Sequence, residues 1–128
     1  MTSLLKNSRR PDVLFYQSGR IDIKARVSKQ LSLCEGDVID VASHKGEYLL
    51  YVRHRRCDIV GSHEATVHAS NKYRRTSNNL RTYSKQLTNA VYEIAGCDKA
   101  SPLRLPAGEP VNIEGIGIAI PLITRNPL

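Results

Sequence analysis

The chain has 128 residues, the size of one domain or of one subunit in a small oligomer. Its 41% apolar and 24% charged residues exclude wholesale disorder. The longest charge-free run, residues 115–124, is far too short to span a bilayer, and the first ten residues hold no apolar stretch able to direct export, so a soluble, cytoplasmic protein with no membrane partner is expected. Nineteen Lys and Arg against twelve Asp and Glu give a net charge of +7. That excess is one-sided: residues 1–56 carry +5, residues 57–88 carry +3 and residues 89–128 carry −1. A lopsided basic balance is the electrostatic footprint of a nucleic-acid binder.

Residues 1–12 read as a basic N-terminal arm ending in Arg9-Arg10-Pro11, and residues 13–128 as a single compact domain. Residues 13–16 form a short apolar strand, followed by a turn at Gln17-Ser18-Gly19. Residues 20–23 alternate strictly, with Ile21 and Ile23 on one face and Arg20 and Asp22 on the other. A short helix over 25–31 puts Val27 and Leu31 on its apolar side and Arg26 and Lys29 on its polar side. Gly36-Asp37 then leads into a strand over 38–41, and residues 48–52, apolar on both faces, predict a strand covered on both sides.

The middle is less regular, with basic runs at Arg53-His54-Arg55-Arg56 and Lys72-Tyr73-Arg74-Arg75 and a strand around 65–68. A long helix is predicted from a cap at Ser77 or Asn78 to Gly96, because Leu80, Tyr83, Leu87, Val91 and Ile94 recur at helical spacing and Gly96 suits a left-handed C-terminal residue. Tyr83 is then a core residue, and Arg81, Lys85 and Asn89 share the outward face. The C-terminal part reads as strands at 103–105, 111–113 and 116–120. In the last of these, Ile116, Ile118 and Ile120 are expected to face the core, and Pro121 to end its pairing or place it at a sheet edge. No internal repeat of 20–50 residues is visible. The fold class is α+β, mainly β, with one short and one long helix.

The pattern Gly19-Arg20-Ile21, short helix ending in Leu31 and Leu33, Gly36-Asp37, strand, glycine turn and Tyr48-Leu49-Leu50 resembles the swapped-hairpin DNA-binding domain of AbrB/SpoVT-type transcription regulators and related antitoxins. Glycine permits the positive φ of such a loop, and the short aspartate carboxylate accepts backbone N–H groups. The resemblance covers residues 13–52; the family's usual proline after the Ile-x-Ile strand is Lys24 here. It implies a small barrel-like sheet of the swapped-hairpin or cradle-loop type, formed by a homodimer with interleaved hairpins. Residues 13–56 would be the hairpin unit, and 57–128 a helix and C-terminal strands completing the fold within the chain or across the dimer. It further implies that Arg20, Arg26 and Lys29 face duplex DNA, with Arg9 and Arg10 near phosphates.

The functional expectation is a small DNA-binding transcriptional or mobile-element regulator. Phosphate contacts come from Arg9, Arg10, Arg20, Arg26 and Lys29, and a second region comprises Lys72, Arg74 and Arg75. Tyr73 and Tyr83 among basic residues also suit stacking on single-stranded nucleic acid. The alternative is a non-enzymatic interaction module that docks a protein on the long helix or the 116–120 strand. His54, Cys57, His63 and His68 are zinc donor types at poor spacing, so no metal is expected. Cys34, Cys57 and Cys97 do not form a disulfide framework. No catalytic motif appears, so neither an enzyme nor a cofactor is expected.

Overall fold

The alternation over residues 20–23 is realised in the computed structural model, which describes residues 11–55, 65–69, 79–97 and 100–124. Strand β2 (Arg20–Ile23) buries Ile21 and Ile23 completely and turns Arg20 and Asp22 outward. It pairs antiparallel with β1 (Val13–Phe15). Gly19 makes the reversal at φ 98°, and a Cβ there would lie 3.1 Å from the Lys85 backbone nitrogen, so both the conformation and the close approach require glycine. Helix α1 (Ala25–Gln30) follows, with Val27 and the cap residue Leu31 buried and Arg26 and Lys29 exposed. β3 (Val38–His44) and β4 (Glu47–His54) form a hairpin; Leu49 and Leu50 are both buried, so the middle of β4 is covered on both faces as expected.

β5 (Ala65–Thr66) and β6 (His68–Ala69) flank Val67 and belong to different sheets. Val67 bonds through both backbone groups to the loop before β3: its N–H to the Asp37 carbonyl at 2.8 Å, its carbonyl from the Gly36 N–H at 2.9 Å. In that loop the buried Asp37 carboxylate accepts the Cys34 N–H and the Arg55 guanidinium, which also bonds the Leu31 and Ser32 carbonyls at the end of α1.

The predicted long helix is two elements. β7 (Leu80–Tyr83) is a strand, and α2 (Lys85–Ala95) begins one residue later. Ser84 is extended, and its hydroxyl accepts the Leu87 N–H at 3.1 Å, a standard N-cap. Residues 80–83 satisfy the helical spacing and also alternate: Leu80 and Thr82 are buried, Arg81 and Tyr83 face out. Pairing with β2 over four residues satisfies backbone groups that a helix at this position would leave open on β2, so tertiary pairing decides the conformation. Tyr83 is therefore 55% exposed rather than core. Gly96 ends α2 in the left-handed conformation, as expected.

β8 (Leu103–Leu105), β9 (Val111–Ile113) and β10 (Gly117–Leu122) complete two antiparallel five-stranded sheets, ordered β6-β7-β2-β1-β8 and β5-β3-β4-β10-β9. Among the described residues these sheets do not close into a barrel. They are joined where the chain changes sheet, at Val67 and again after β8, where Ala107 bridges to Leu122. Two expectations for β10 are corrected. Ile120 is buried, but Ile118 is 53% exposed, because it lies past Ala119, the last residue of β10 paired with β4. Pro121 sits inside the ladder opposite Leu49; its carbonyl accepts the Gly108 N–H on the side away from β4, so the missing donor falls where β4 needs none.

Each sheet contains a strand pair flanked on both sides, β2–β7 by β1 and β6 and β4–β10 by β3 and β9, with β8 and β5 added at one edge. A helix follows β2 and another follows β7. Both of these strand pairs join an early strand to a late one, so the two halves of the chain contribute to each sheet. The shared core includes Phe15, Ile21, Ile23, Leu50, Leu105 and Ile120. The Tyr92 hydroxyl lies 2.6 Å from the Ser101 carbonyl and 3.0 Å from that of Phe15.

Candidate nucleic-acid interface

The strand registers place one line of side chains across all five strands of the first sheet. Arg104 on β8 pairs with Leu14 on β1, Leu14 with Asp22 on β2, Asp22 with Arg81 on β7, and Arg81 with His68 on β6. All five belong to the face opposite the core, since their strand neighbours Leu103, Leu105, Val13, Phe15, Ile21, Ile23, Leu80 and Thr82 are buried; Leu14, in the middle of the row, is itself covered and only 8% exposed. A second line starts at Tyr16, just past β1, and runs through Arg20 and its register partner Tyr83. Among the described residues on these two lines are three arginines, one carboxylate and three aromatic or imidazole rings.

Asp22 organises the arginines. Its carboxylate accepts Arg81 Nε at 2.7 Å and lies 3.5 Å from Arg20 Nη2, while remaining only 13% exposed. The hydrogen bond to Asp22 raises the Arg81 pKa above its ordinary value, outweighing the opposing effect of burial. The Arg20 guanidinium carbon stands 3.9 Å from the centroid of the Tyr16 ring, within cation–π range. Arg20 Nε is buried and has no hydrogen-bond partner among the described residues. At the other end the His68 and Tyr83 rings stack, with centroids 5.8 Å apart and planes inclined by 13°. With one carboxylate for three guanidiniums, the face keeps a positive excess and has fixed donors.

Of the three described residues expected to bind, Arg20, Arg26 and Lys29, only Arg20 lies on this face. Arg26 is held elsewhere: Nε and Nη2 donate to the two Asp12 oxygens at 3.1 and 2.7 Å, and Nη2 also donates to the Ala107 carbonyl. This raises its pKa, chiefly through the hydrogen bond to Asp12. Arg26 borders a hollow of about 840 Å³ lined also by Lys24, Asn79, Pro106 and Glu109. Lys29 is exposed in the last turn of α1, where a cation suits the negative end of the helix. Arg9, Arg10, Lys72, Arg74 and Arg75 lie outside the described residues. Two cations of the 53–56 run have structural partners, Arg53 with Asp40 and Arg55 with Asp37.

The sequence puts Arg81 on an outward helix face and offers Tyr83 both as core and as a stacking ring, but it does not point to Arg104, Tyr16 or His68 as nucleic-acid contacts. Reading residues 80–83 with period two instead of 3.6 would have exposed Arg81 and Tyr83 together. Nothing local in the sequence signals that Arg104 joins the same row, since that depends on β8 pairing with β1 across roughly 90 residues of chain. Of the four zinc donor types, His54 is on β4 and His68 on β6, in different sheets, while Cys57 and His63 lie outside the described residues. Among the described residues no group of three or more His, Cys, Asp or Glu could hold a metal ion, and no helix is long and apolar enough to cross a membrane. No known family, curated protein or solved structure matches the chain.

Proposed function

We propose that the protein binds nucleic acid through the outer face of the β6-β7-β2-β1-β8 sheet and acts as a small DNA-binding regulator of transcription or of a mobile element. The observation that carries this reading is the arginine row across that sheet, where Arg81 and Arg20 flank the Asp22 carboxylate and Arg104 lies on the same face. In this reading the guanidiniums neutralise phosphates, and Arg81 or Arg20, already oriented by Asp22, offers planar donors to a guanine edge in the major groove. Arg9, Arg10, Lys72, Arg74 and Arg75, outside the described residues, and the exposed Lys29 remain candidates for further phosphate contacts, whereas Arg26 is engaged with Asp12 away from this face.

The resemblance of residues 13–52 to AbrB/SpoVT-type domains, carried by Gly19-Arg20-Ile21 and Gly36-Asp37 in the sequence, supports the same reading. Both central strand pairs can form within one chain, so in this reading the barrel-like unit needs no exchanged hairpin, and a homodimer is an assembly of such units. The competing reading, a protein-interaction module, draws on the exposed Ile118 beside the edge strand β9.

Titration with duplex DNA at increasing salt separates the two. A binder making about five phosphate contacts loses affinity with a log–log slope near −4 to −5. Absence of binding at low salt, or affinity indifferent to salt, rejects the nucleic-acid reading.

A further inference from the structure

We infer that one end of this face is a stacking platform for unpaired bases, so that the protein takes single-stranded nucleic acid as well as duplex; the inference rests on the nucleic-acid reading above. Four planar groups follow one another there: the His68 imidazole, the Tyr83 phenol stacked on it, the Arg20 guanidinium opposite Tyr83 in register, and the Tyr16 ring under that guanidinium. They come from β6, β7, β2 and the turn after β1, neighbours in sheet order. At ordinary strand spacing the line extends roughly 15 Å, room for two or three bases.

Two features argue for unpaired bases. Tyr83, the last residue of β7, leaves 55% of its surface in solvent, and His68 is exposed beside it. Exposed aromatic surface of this kind is available to a partner that presents a flat apolar face. A duplex offers base edges and phosphates and keeps its base faces covered by their neighbours, whereas an unpaired strand offers those faces directly. The charge complement is on the same platform, since Arg20 lies in the line and Arg81 is beside it.

The test uses the full chain with two probes, an oligothymidylate of about a dozen nucleotides and a duplex of similar length. The variants are Tyr83→Leu and Tyr83→Trp. The natural chain contains no tryptophan, so the second variant carries a single indole whose fluorescence reports stacking. The inference expects wild type to bind oligothymidylate and Tyr83→Leu to weaken that binding about tenfold, with the salt slope and duplex affinity unchanged. Tyr83→Trp keeps the affinity, and its emission is quenched by oligothymidylate. The inference is overturned, with duplex binding intact, if wild type ignores oligothymidylate, if Tyr83→Leu binds it as well as wild type, or if Tyr83→Leu loses both probes equally. If neither probe binds at low salt, the nucleic-acid reading itself falls.

Discussion

Removing the Asp12 carboxylate tests how the two halves of the chain are tied together. Asp12 is buried just before β1. One of its oxygens accepts the Ala107 N–H at 2.8 Å and Arg26 Nη2 at 2.7 Å, while the other accepts Arg26 Nε at 3.1 Å. Asp12→Ala leaves the Ala107 donor buried without its partner, and losing a charge-assisted bond of that kind costs about 2 kcal/mol. The Arg26 side chain is 46% exposed and recovers most of its hydration, so its pair adds only about 0.5–1 kcal/mol. The total, about 2.5–3 kcal/mol, lowers the melting temperature of a chain this size by roughly 10 °C. Asp12→Asn keeps an acceptor for Ala107 and costs about 1 kcal/mol, close to Arg26→Ala. Urea unfolding of the three variants measures this directly. The reasoning fails if Asp12→Ala lies within about 0.5 kcal/mol of wild type, or if Asp12→Asn is as costly as Asp12→Ala.

Two further predictions address the fold. Ser84→Ala removes the cap that accepts the Leu87 N–H and destabilises by about 1 kcal/mol in chemical denaturation, whereas a helix already running from residue 78 would leave residue 84 in its interior and make the same change neutral or slightly stabilising. Tyr92→Phe costs about 1 kcal/mol near neutral pH through loss of the hydroxyl's bond to the Ser101 or Phe15 carbonyl. Burial raises the Tyr92 pKa, so the neutral phenol is favoured in the folded state. The stability it contributes is complete below the ordinary tyrosine value near 10 and is lost as pH climbs through the raised value. Denaturation midpoints across the alkaline range should therefore fall more steeply for wild type than for Tyr92→Phe; parallel curves contradict the assignment.

The sequence reveals elements wherever one periodicity dominates. Arg20-Ile21-Asp22-Ile23 admits only alternation, and the short helix, the Gly36-Asp37 loop and the strands at 38–41 and 48–52 follow from similarly local signals. Residues 80–95 mislead because Leu80, Tyr83, Leu87 and Val91 fit a helix while Leu80-Arg81-Thr82-Tyr83 also fits a strand, and the choice is made by the four-residue pairing with β2. The isoleucines at 116–120 mislead differently, since alternation is right but the core ends at Ala119 along that strand. The site is less legible than the fold for the same reason. Arg20 is found from its own strand, but its companions Arg81, Arg104 and His68 reach it only through long-range registers. Cationic sequence clusters are a poor substitute, because Arg26, Arg53 and Arg55 are engaged with Asp12, Asp40 and Asp37.

The location of the binding face is tested most directly by comparing salt slopes for duplex DNA among alanine variants on the two sheets. Replacing Arg20, Arg81 and Arg104 together should flatten the slope by roughly 2–3, while replacing Arg53 on β4 and Lys45 in the β3–β4 turn should leave it unchanged. A triple variant that retains the full wild-type slope, with the Arg53 and Lys45 changes flattening it instead, would place the nucleic acid on the other sheet and contradict the account.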